Sequence, residues 1–431
     1  MNVPDDVANP VSRPPIPSTS EIGRFAIMAM LPGHVAHPKN PFDVAGLLAD
    51  ATSKGESVVP WGGGTHQGIG AGPERYDIAC DMSHVNELVA FEPADLVVTV
   101  QAGMTLGRLQ DHLREKGQFL ALDGGHPEMS TIGGMLATNS SGPSRLLYGS
   151  ARDLVLGMQV ALPNGDLVRS GGKVVKNVVG YDLNKLHIGA LGTVGTICEV
   201  TFKVHPLPRS EGTVLAHFDD FKVANDVAER LARSNLALRS VIAFSSTLPS
   251  SPADIRQPAG TTVAVWCAGW PAAVERQKRD VIAALSTAGA SAVFGPNPQA
   301  HAAFWDAIAR PTAPGVQLKL ASLPSRIGEL VTVATAVAAE ADPAPPEWIV
   351  YAGVGIARLA IGSGSVEVIM RIRDAAASRG GTCVIASADG IPMDPALAWG
   401  PVRDDFALMQ RVKAQFDPNR TLNPGRFVGG I

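Results

Sequence analysis

Apolar positions along the chain follow two periods, and they sort it into helices and strands. Val44, Leu47, Leu48 and Ala51 recur at i, i+3, i+4 and i+7, the spacing of one buried helix face. Asn40 stands where an N-cap belongs, Pro41 at the first helical position and Gly55 at the end. Leu106, Leu109 and Leu113 repeat the pattern between Thr105 and Gly117. Residues 33–38 read as a short extended segment. Apolar or alternating runs at 58–60, 77–82, 96–101, 153–162 and 196–204 predict strands, and Asn164-Gly165 predicts a hairpin into 167–170. Pro206-Leu207-Pro208 then punctuates the chain. Beyond it the pattern predicts helices over 221–233, 272–288, 324–339 and 365–379, alternating with strands at 261–268, 316–322, 348–354 and 382–387. Such alternation predicts an α+β, ferredoxin-like cap whose sheet is covered on one face. A last helix is expected over 396–415. The turn-rich tail after it carries Phe416 and Phe427 as anchors back onto the first domain. No internal repeat of fixed period is visible.

Composition narrows the classes. The chain has 431 residues, 45% hydrophobic and 18% charged, enough for two or three domains with large cores. A net charge of −4 and the lack of a basic run argue against nucleic acid or a lipid surface as partner. Cys80, Cys198, Cys267 and Cys383 are far apart and form no CxxC pair, so neither a metal cluster nor a disulfide framework is expected. Residues 1–24 are Pro-rich and acidic near their start, lack the basic and apolar regions of a signal peptide, and read as a flexible tail. No stretch is long and apolar enough to span a bilayer.

Glycine placement carries the candidate chemistry. VVPWGGGTHQGIGAG (residues 58–72) is a strand running into three consecutive glycines. Glycine reaches φ > 0 without a Cβ penalty, so successive backbone N–H groups can converge on an anion. The competing reading is a glycine-rich surface loop. A second cluster, STIGGMLATNSSG, interleaves glycines with hydroxyl and amide side chains. A third places Gly189, Gly192 and Gly195 ahead of the strand at 196–204. Three such loops in one domain point to a long cofactor with a pyrophosphate in the middle. GxGxxG opening a βαβ unit, GxxxxGK[ST], GxSxG and HExxH are all absent, which excludes a Rossmann dinucleotide fold, a P-loop NTPase and the hydrolases those motifs mark. All ten histidines lie at or before His301, none at a metal-ligand spacing.

VVPWGGGTHQGIG, STIGGMLATNSSG, KNVVGYDLNKLHIGALGTVGTICEVTFKVHP and LNPGR, in that order, resemble the FAD-binding oxidoreductases of the vanillyl-alcohol oxidase (PCMH) type. GGKVVKNVVGYDL with GALGTVGTICEVTFKV, the short cap and FWDAI is most similar to the FAD-binding subunits of glycolate oxidases. The resemblance implies a PCMH-type FAD-binding domain of two α/β subdomains over 25–208, an α+β ferredoxin-like cap over 209–394 and a C-terminal return over 395–431. It implies FAD as cofactor. Pro60, Trp61, Gly62, Gly63, Gly64, Thr65, His66 and Gly68 would wrap the pyrophosphate. Ser130, Thr131, Gly133 and Gly134, with Asn139, Ser140 and Gly142, would contact the pyrophosphate, ribityl chain and flavin edge. Gly192, Gly195 and Ile197 would hold the adenosine end through main chain, and Asn423 would approach the isoalloxazine. Lys176, Asn177, Tyr181 and Asp182 would form a polar cluster beside the flavin. His66 follows GGGT instead of standing directly after the glycines, so a non-covalent FAD is expected.

The departures matter as much. Catalytic subunits that oxidise 2-hydroxy acids carry a histidine pair around a glycine-rich cap turn, and a Glu-His pair on a later strand. The corresponding places here read YAGVGIAR (351–358) and CVIASADG (383–390). The resemblance therefore implies the FAD-binding subunit of a glycolate (2-hydroxy acid) oxidase complex, with a catalytic FAD subunit and an iron–sulfur subunit as partners. It would be cytoplasmic, at the inner face of the membrane through those partners. A self-sufficient dehydrogenase of D-lactate or a similar acid, and a non-catalytic assembly subunit that keeps the fold, are the alternatives.

Overall fold

Asn40 and Gly55 fix the first helix as their positions predict. In a computed structural model, which describes residues 22–173, 181–245, 260–310, 315–342, 344–362 and 365–431, the Asn40 side chain accepts from the N–H groups of Phe42 and Asp43 at 2.9 and 3.0 Å. Gly55 closes the helix at φ 70°. This helix, α1 (Pro41–Lys54), buries Val44, Leu48 and Ala51 against a small parallel sheet. The sheet holds β1 (His34–Ala36), β2 (Val58–Trp61) and β3 (Ile78–Asp81) in the order β1-β3-β2. A second sheet is antiparallel, with β4 (Leu88–Glu92), β5 (Val97–Gln101), β6 (Val155–Ala161), β7 (Leu167–Gly171) and β8 (Thr196–Lys203) in the order β4-β5-β8-β6-β7. One face of it packs on α2 (Leu106–Arg114) and α3 (Ile132–Ala137) through Leu109, Leu113, Met135 and Leu136. A short turn, α4 (Arg145–Tyr148), follows. Residues 151–154 form one helical turn, so the strand expected from 153 begins only at Val155, as β6. Asp153 bonds back to the N–H and hydroxyl of Ser150 there and caps it.

The cap is built on one eight-stranded antiparallel sheet. Its first half runs β9 (Ser210–Phe218), α5 (Phe221–Ala232), β10 (Ser240–Ser245), β11 (Thr261–Gly269), α6 (Pro271–Thr287), β12 (Ala292–Phe294). After α7 (Pro298–Ala309), its second half runs β13 (Val316–Ala321), α8 (Ile327–Ala341), β14 (Glu347–Tyr351), β15 (Ile356–Ile361), α9 (Val366–Ala377), β16 (Thr382–Ala388). The order β12-β9-β11-β10-β14-β15-β13-β16 makes each half a ferredoxin-like βαββαβ unit, and the two join at β10 and β14. Strands β9, β10, β12 and β15 were not expected from the sequence, nor was this internal duplication. Both faces of the central strands are covered, so Leu215, Ile242 and Phe244 are as apolar as Val214, Val241 and Ala243, and the alternation that marks a half-buried strand is lost. Helices α5, α6, α8 and α9 cover one face. Expectation had the sheet covered there alone. On the other face α7 packs Phe304, Trp305 and Ile308 against Leu215, Trp266 and Ile349.

The C-terminal return passes through two helices, not one: α10 (Pro395–Trp399) and α11 (Phe406–Phe416), separated at Gly400, whose φ is 88°. Beyond α11 the backbone runs beside β2. Val58 N–H donates to Thr421 O at 2.7 Å, and Asn423 N–H to Val58 O at 3.0 Å. Asp417, fully buried, accepts from the N–H groups of Thr421 and Leu422 at 2.9 and 2.8 Å. Its partner Lys413, also buried, donates to Asp417 at 2.7 Å, Leu422 O at 2.9 Å and Thr193 O at 2.8 Å. The first body and the cap meet at Arg239. Its guanidinium lies 3.7 Å from the Trp266 ring centroid and donates to Ser144 Oγ (2.9 Å) and Glu211 (2.7 Å). Among the described residues no helix is long and apolar enough to cross a membrane.

Removing one member of a buried pair leaves an uncompensated charge, which costs about 3–5 kcal/mol. Lys413→Met is therefore expected to destabilise the protein by about 3 kcal/mol, read as a lowered urea midpoint at an unchanged slope. Asp417, accepting two backbone N–H groups besides, makes the loss larger than for a surface pair.

Candidate cofactor cleft and active-site cavity

Close approach of backbone makes the glycines of the first loop obligatory. β2 and β3 are parallel, and the loop leaves β2 at its carboxyl end, where open α/β sheets place ligands. A Cβ on Gly62 would lie 2.1 Å from Thr131 Oγ1, and one on Gly63 only 1.8 Å from Met129 O. Gly64 has φ 75°. The loop is pressed against the segment around Ser130 and stitched to it. Thr65 Oγ1 lies 3.1 Å from Ser130 Oγ, and the two ring nitrogens of His66 lie 2.9 Å from Thr65 Oγ1 and 3.2 Å from Ser140 Oγ. Arg426, which sequence reasoning passed over although it closes LNPGR, fastens the far side. It donates to Gln67 Oε1, Gln67 O, Ile69 O and Ala71 O.

The second loop turns at α3. Thr131 Oγ1 accepts from Gly134 N at 3.3 Å, and Gly133 N–H donates to Ala102 O at 2.7 Å, an approach that leaves no room for a Cβ. Asn139, Ser140, Ser141 and Gly142 follow, with Asn139 held at φ 49°. The third loop runs under the second: Gly189 and Leu191 donate to the carbonyls of Leu136 and Ala137 at 2.9 Å each. Leu191 (φ 50°) and Asn423 (φ 46°) are left-handed non-glycine residues, and the Asn423 amide donates to Leu191 O at 2.5 Å. Backbone held in a sparsely populated region at a cleft marks a site the surrounding packing over-determines.

These loops line three adjoining compartments. A narrow one is walled by Pro60, Trp61, Gly62, Gly134, Gly192, Thr196 and Ile197. A middle one lies over Gly62–Gln67, Leu191, Asn423 and Arg426. A wide cavity of about 210 Å³ opens beyond Thr65 and His66, with Asn139, Ser140 and Gly142 in its wall. Gly68 reaches that cavity where it meets Ser387 of the cap. Most of the residues predicted to bind the cofactor thus share one cleft. Gly195 stands apart, packed on Val160 and His187. Asn423 lies on the middle compartment, not the wide cavity. Lys176 and Asn177 fall outside the described residues. Tyr181 is 93% exposed, and Asp182 pairs with Lys185 at 3.1 Å.

Four buried polar atoms in these walls have no hydrogen-bond partner among the described residues: Asn139 Oδ1, Ser141 Oγ, Thr196 Oγ1 and Asn423 Oδ1. A buried polar group left unpaired costs about 1–3 kcal/mol, so a cleft with four of them is shaped for a polar ligand along its whole length. Thr196 was not among the predicted site residues, and Ser141 was read only as one of the hydroxyls of the second loop. Burial is the signal that singles them out, and the sequence does not carry it.

The cap sheet roofs the wide cavity. Val316, Leu318 and Leu320 face the helices, so period two turns Gln317 and Lys319 the other way. The same alternation presents Tyr351, Ile356 and Arg358. Arg358 donates to the carbonyls of Ile308, Ala309 and Arg310 at the end of α7, and its guanidinium lies 5.6 Å from the Tyr351 ring centroid. Arg145 and Asp123 enter from the first body. Burial pushes the carboxyl of Asp123 above its ordinary range, although it accepts from Ser144 N and Oγ. Among the described residues no group of three or more His, Cys, Asp or Glu is placed to hold a metal. The four cysteines are free and buried.

His66 is only half-covered by its neighbours, but the cavity encloses it, and enclosure governs its protonation. Burial, with His126 nearby, lowers its pKa from 6.5 to about 4. The unfolded chain then binds more protons between pH 6.5 and 4, so stability is present above pH 6.5 and is lost as pH falls toward 4. His187, lowered to about 4 by burial, acts in the same direction. His66→Gln is expected to flatten part of the fall in urea midpoint between pH 6.5 and 4; an unchanged pH profile would contradict this protonation state.

Comparison with known proteins gives this geometry a family. Residues 32–171 match the FAD binding domain family, and residues 361–427 match the C-terminal domain of FAD linked oxidases. Glycolate oxidase subunit GlcD of Bacillus subtilis is 34% identical over 194 residues, 45% of this chain and 41% of that protein. Mitochondrial D-lactate dehydrogenase [cytochrome] of Arabidopsis thaliana is 34% identical over 212 residues, 49% and 37% of the two chains. Glycolate oxidase subunit GlcE of Escherichia coli is 35% identical over 157 residues, 36% and 44%. Each match spans less than half the length of the curated relative. The fold of p-cresol methylhydroxylase, solved with substrate bound, superposes with a TM-score of 0.73 at 17% identity, over 92% of this chain and 88% of that one. Two family matches in order along one chain show an FAD binding domain followed by the C-terminal domain of FAD linked oxidases, on a fold shared with p-cresol methylhydroxylase.

Proposed function

We propose that this chain binds FAD without a covalent bond and serves as the FAD-binding subunit of a 2-hydroxy acid (glycolate-type) oxidase or dehydrogenase complex. The observation that carries the reading is the cleft of three adjoining compartments with unpaired polar atoms in its walls. In this reading Thr196, Gly192 and Ile197 hold the adenosine end. The backbone from Gly62 to Thr65 holds the pyrophosphate, with Thr131, Gly134 and Asn423 around it. Asn139, Ser140 and Ser141 serve the ribityl chain and flavin edge. FAD when bound supplies the two-electron chemistry, and the protein supplies position and electrostatics. His66, neutral and held by two hydroxyls, keeps the first and second loops in register at the mouth of the wide cavity. Tyr351, Ile356 and the Arg358 side chain roof that cavity from the cap.

Glycolate oxidase subunits D and E are both among the relatives, which supports assignment to a complex. The partners are a second, catalytic FAD subunit and an iron–sulfur subunit that takes the electrons onward; the four buried, separated cysteines of this chain fit an acceptor cluster held elsewhere. A cytoplasmic place at the inner membrane face follows from those partners. The domain limits carried into this reading are 25–208 and 395–431 for FAD and 209–394 for the cap. A second reading, a self-sufficient dehydrogenase of D-lactate or a similar acid, is favoured by the open cavity under the cap.

Anaerobic addition of glycolate or D-lactate to the purified, FAD-loaded chain separates the two. The subunit reading predicts a flavin absorbance near 450 nm that persists alone and bleaches once the partner subunits are added. Full bleaching within seconds by the chain alone would overturn it.

A further inference from the structure

Two cations face the wide cavity, neither side chain in a hydrogen bond or ion pair among the described residues. Lys319 projects from β13 on the cap side, and Arg145 from α4 on the side of the first body. Two acids stand nearby: Asp153, which bonds Ser150 and whose charge favours the charged form of Arg145, and Asp123, which bonds Ser144, in turn receiving Arg239. Arg358, the third cation in the wall, is bound to carbonyls at the end of α7 and supports Tyr351. Arg145 and Lys319 are near enough that the charge of Arg145 adds to burial in lowering the pKa of Lys319. Two like charges lining one cavity repel each other, and an anion between them reverses the sign of that interaction.

We infer that Arg145 and Lys319 form a split clamp for the carboxylate of a small organic acid, one jaw on each body, so that the acid bridges the first body and the cap. The inference rests on the flavin reading above and gives it an acid-binding pair. Guanidinium and ammonium are suited to such a clamp, because arginine offers a planar fork to a carboxylate and lysine a mobile point charge. Because the jaws belong to different bodies, the acid is held only when cap and body are in register. Ligand binding and cap seating are then one event.

Oxalate, an acid that glycolate resembles and that has no C–H to lose, is the probe. Titrated into the FAD-loaded full chain, it is expected to perturb the flavin absorption spectrum and raise Tm, while oxamide, its neutral analogue, does neither. Lys319→Met and Arg145→Met are each expected to weaken oxalate roughly tenfold or more, as loss of a charge-assisted partner does. Lys319→Arg should retain most of the affinity. Flavin content and circular dichroism of each variant separate loss of the clamp from loss of the fold. Oxalate bound equally by Lys319→Met, or sulfate protecting as well as oxalate, would overturn the clamp. So would variants that shift the flavin potential while leaving oxalate affinity untouched, because the cations would then serve the flavin. A protein that takes up no FAD would overturn the flavin reading itself, and it is recognised by its lack of colour before any oxalate is added.

Discussion

The cleft depends on one buried ammonium. Lys413 holds Asp417, the carbonyl of Leu422 and the carbonyl of Thr193 at once. Those acceptors come from the end of α11, the C-terminal return and the third loop, the last of them 220 residues away in sequence. An ammonium taken out of water must satisfy its donors, so the three segments are held as a unit or not at all. Fixed in this way, the return runs along β2, places Asn423 on Leu191 and lets Arg426 fasten the first loop from behind. The glycines make close approach possible, and Lys413 makes it stay.

A second constraint comes from the cap. Two ferredoxin-like halves joined edge to edge give a sheet wide enough to roof the cavity, with α5, α6, α8 and α9 on the far face. Strand alternation then decides which side chains meet the ligand. Residues 316, 318 and 320 belong to the core, and Lys319 belongs to the cavity. YAGVGIAR spans the turn between β14 and β15. Its first and last residues, Tyr351 and Arg358, come to adjacent places on the roof. A cationic and phenolic roof favours holding an acid by charge.

Much of this was legible in the sequence, for identifiable reasons. α1 and α2 carry amphipathic faces and capping residues, signals local enough to read. The glycine loops were legible because a Cβ is excluded there by other backbone. The cap strands β9, β10 and β15 were not, because burial on both faces erases the alternation that marks a strand. The expected single helix over 396–415 breaks at Gly400 and at a following polar stretch, a conflict between propensity and a tertiary bend that one sequence does not reveal. Arg426, Lys413, Arg145 and Lys319 are ordinary charged residues until the fold buries them or turns them inward. Thr196 and Ser141 are ordinary hydroxyls until their neighbours leave them unpaired.

The function proposed for this cleft requires that it hold one FAD by non-covalent contacts alone. The most direct measurement is acid precipitation of the purified, FAD-loaded chain followed by quantification of flavin in supernatant and pellet. About one FAD per chain is expected, all of it released to the supernatant, as for a cofactor held only by hydrogen bonds and packing. Flavin that stays with the precipitated protein would contradict the non-covalent site at His66, and a chain that takes up no FAD would contradict the cleft assignment as a whole.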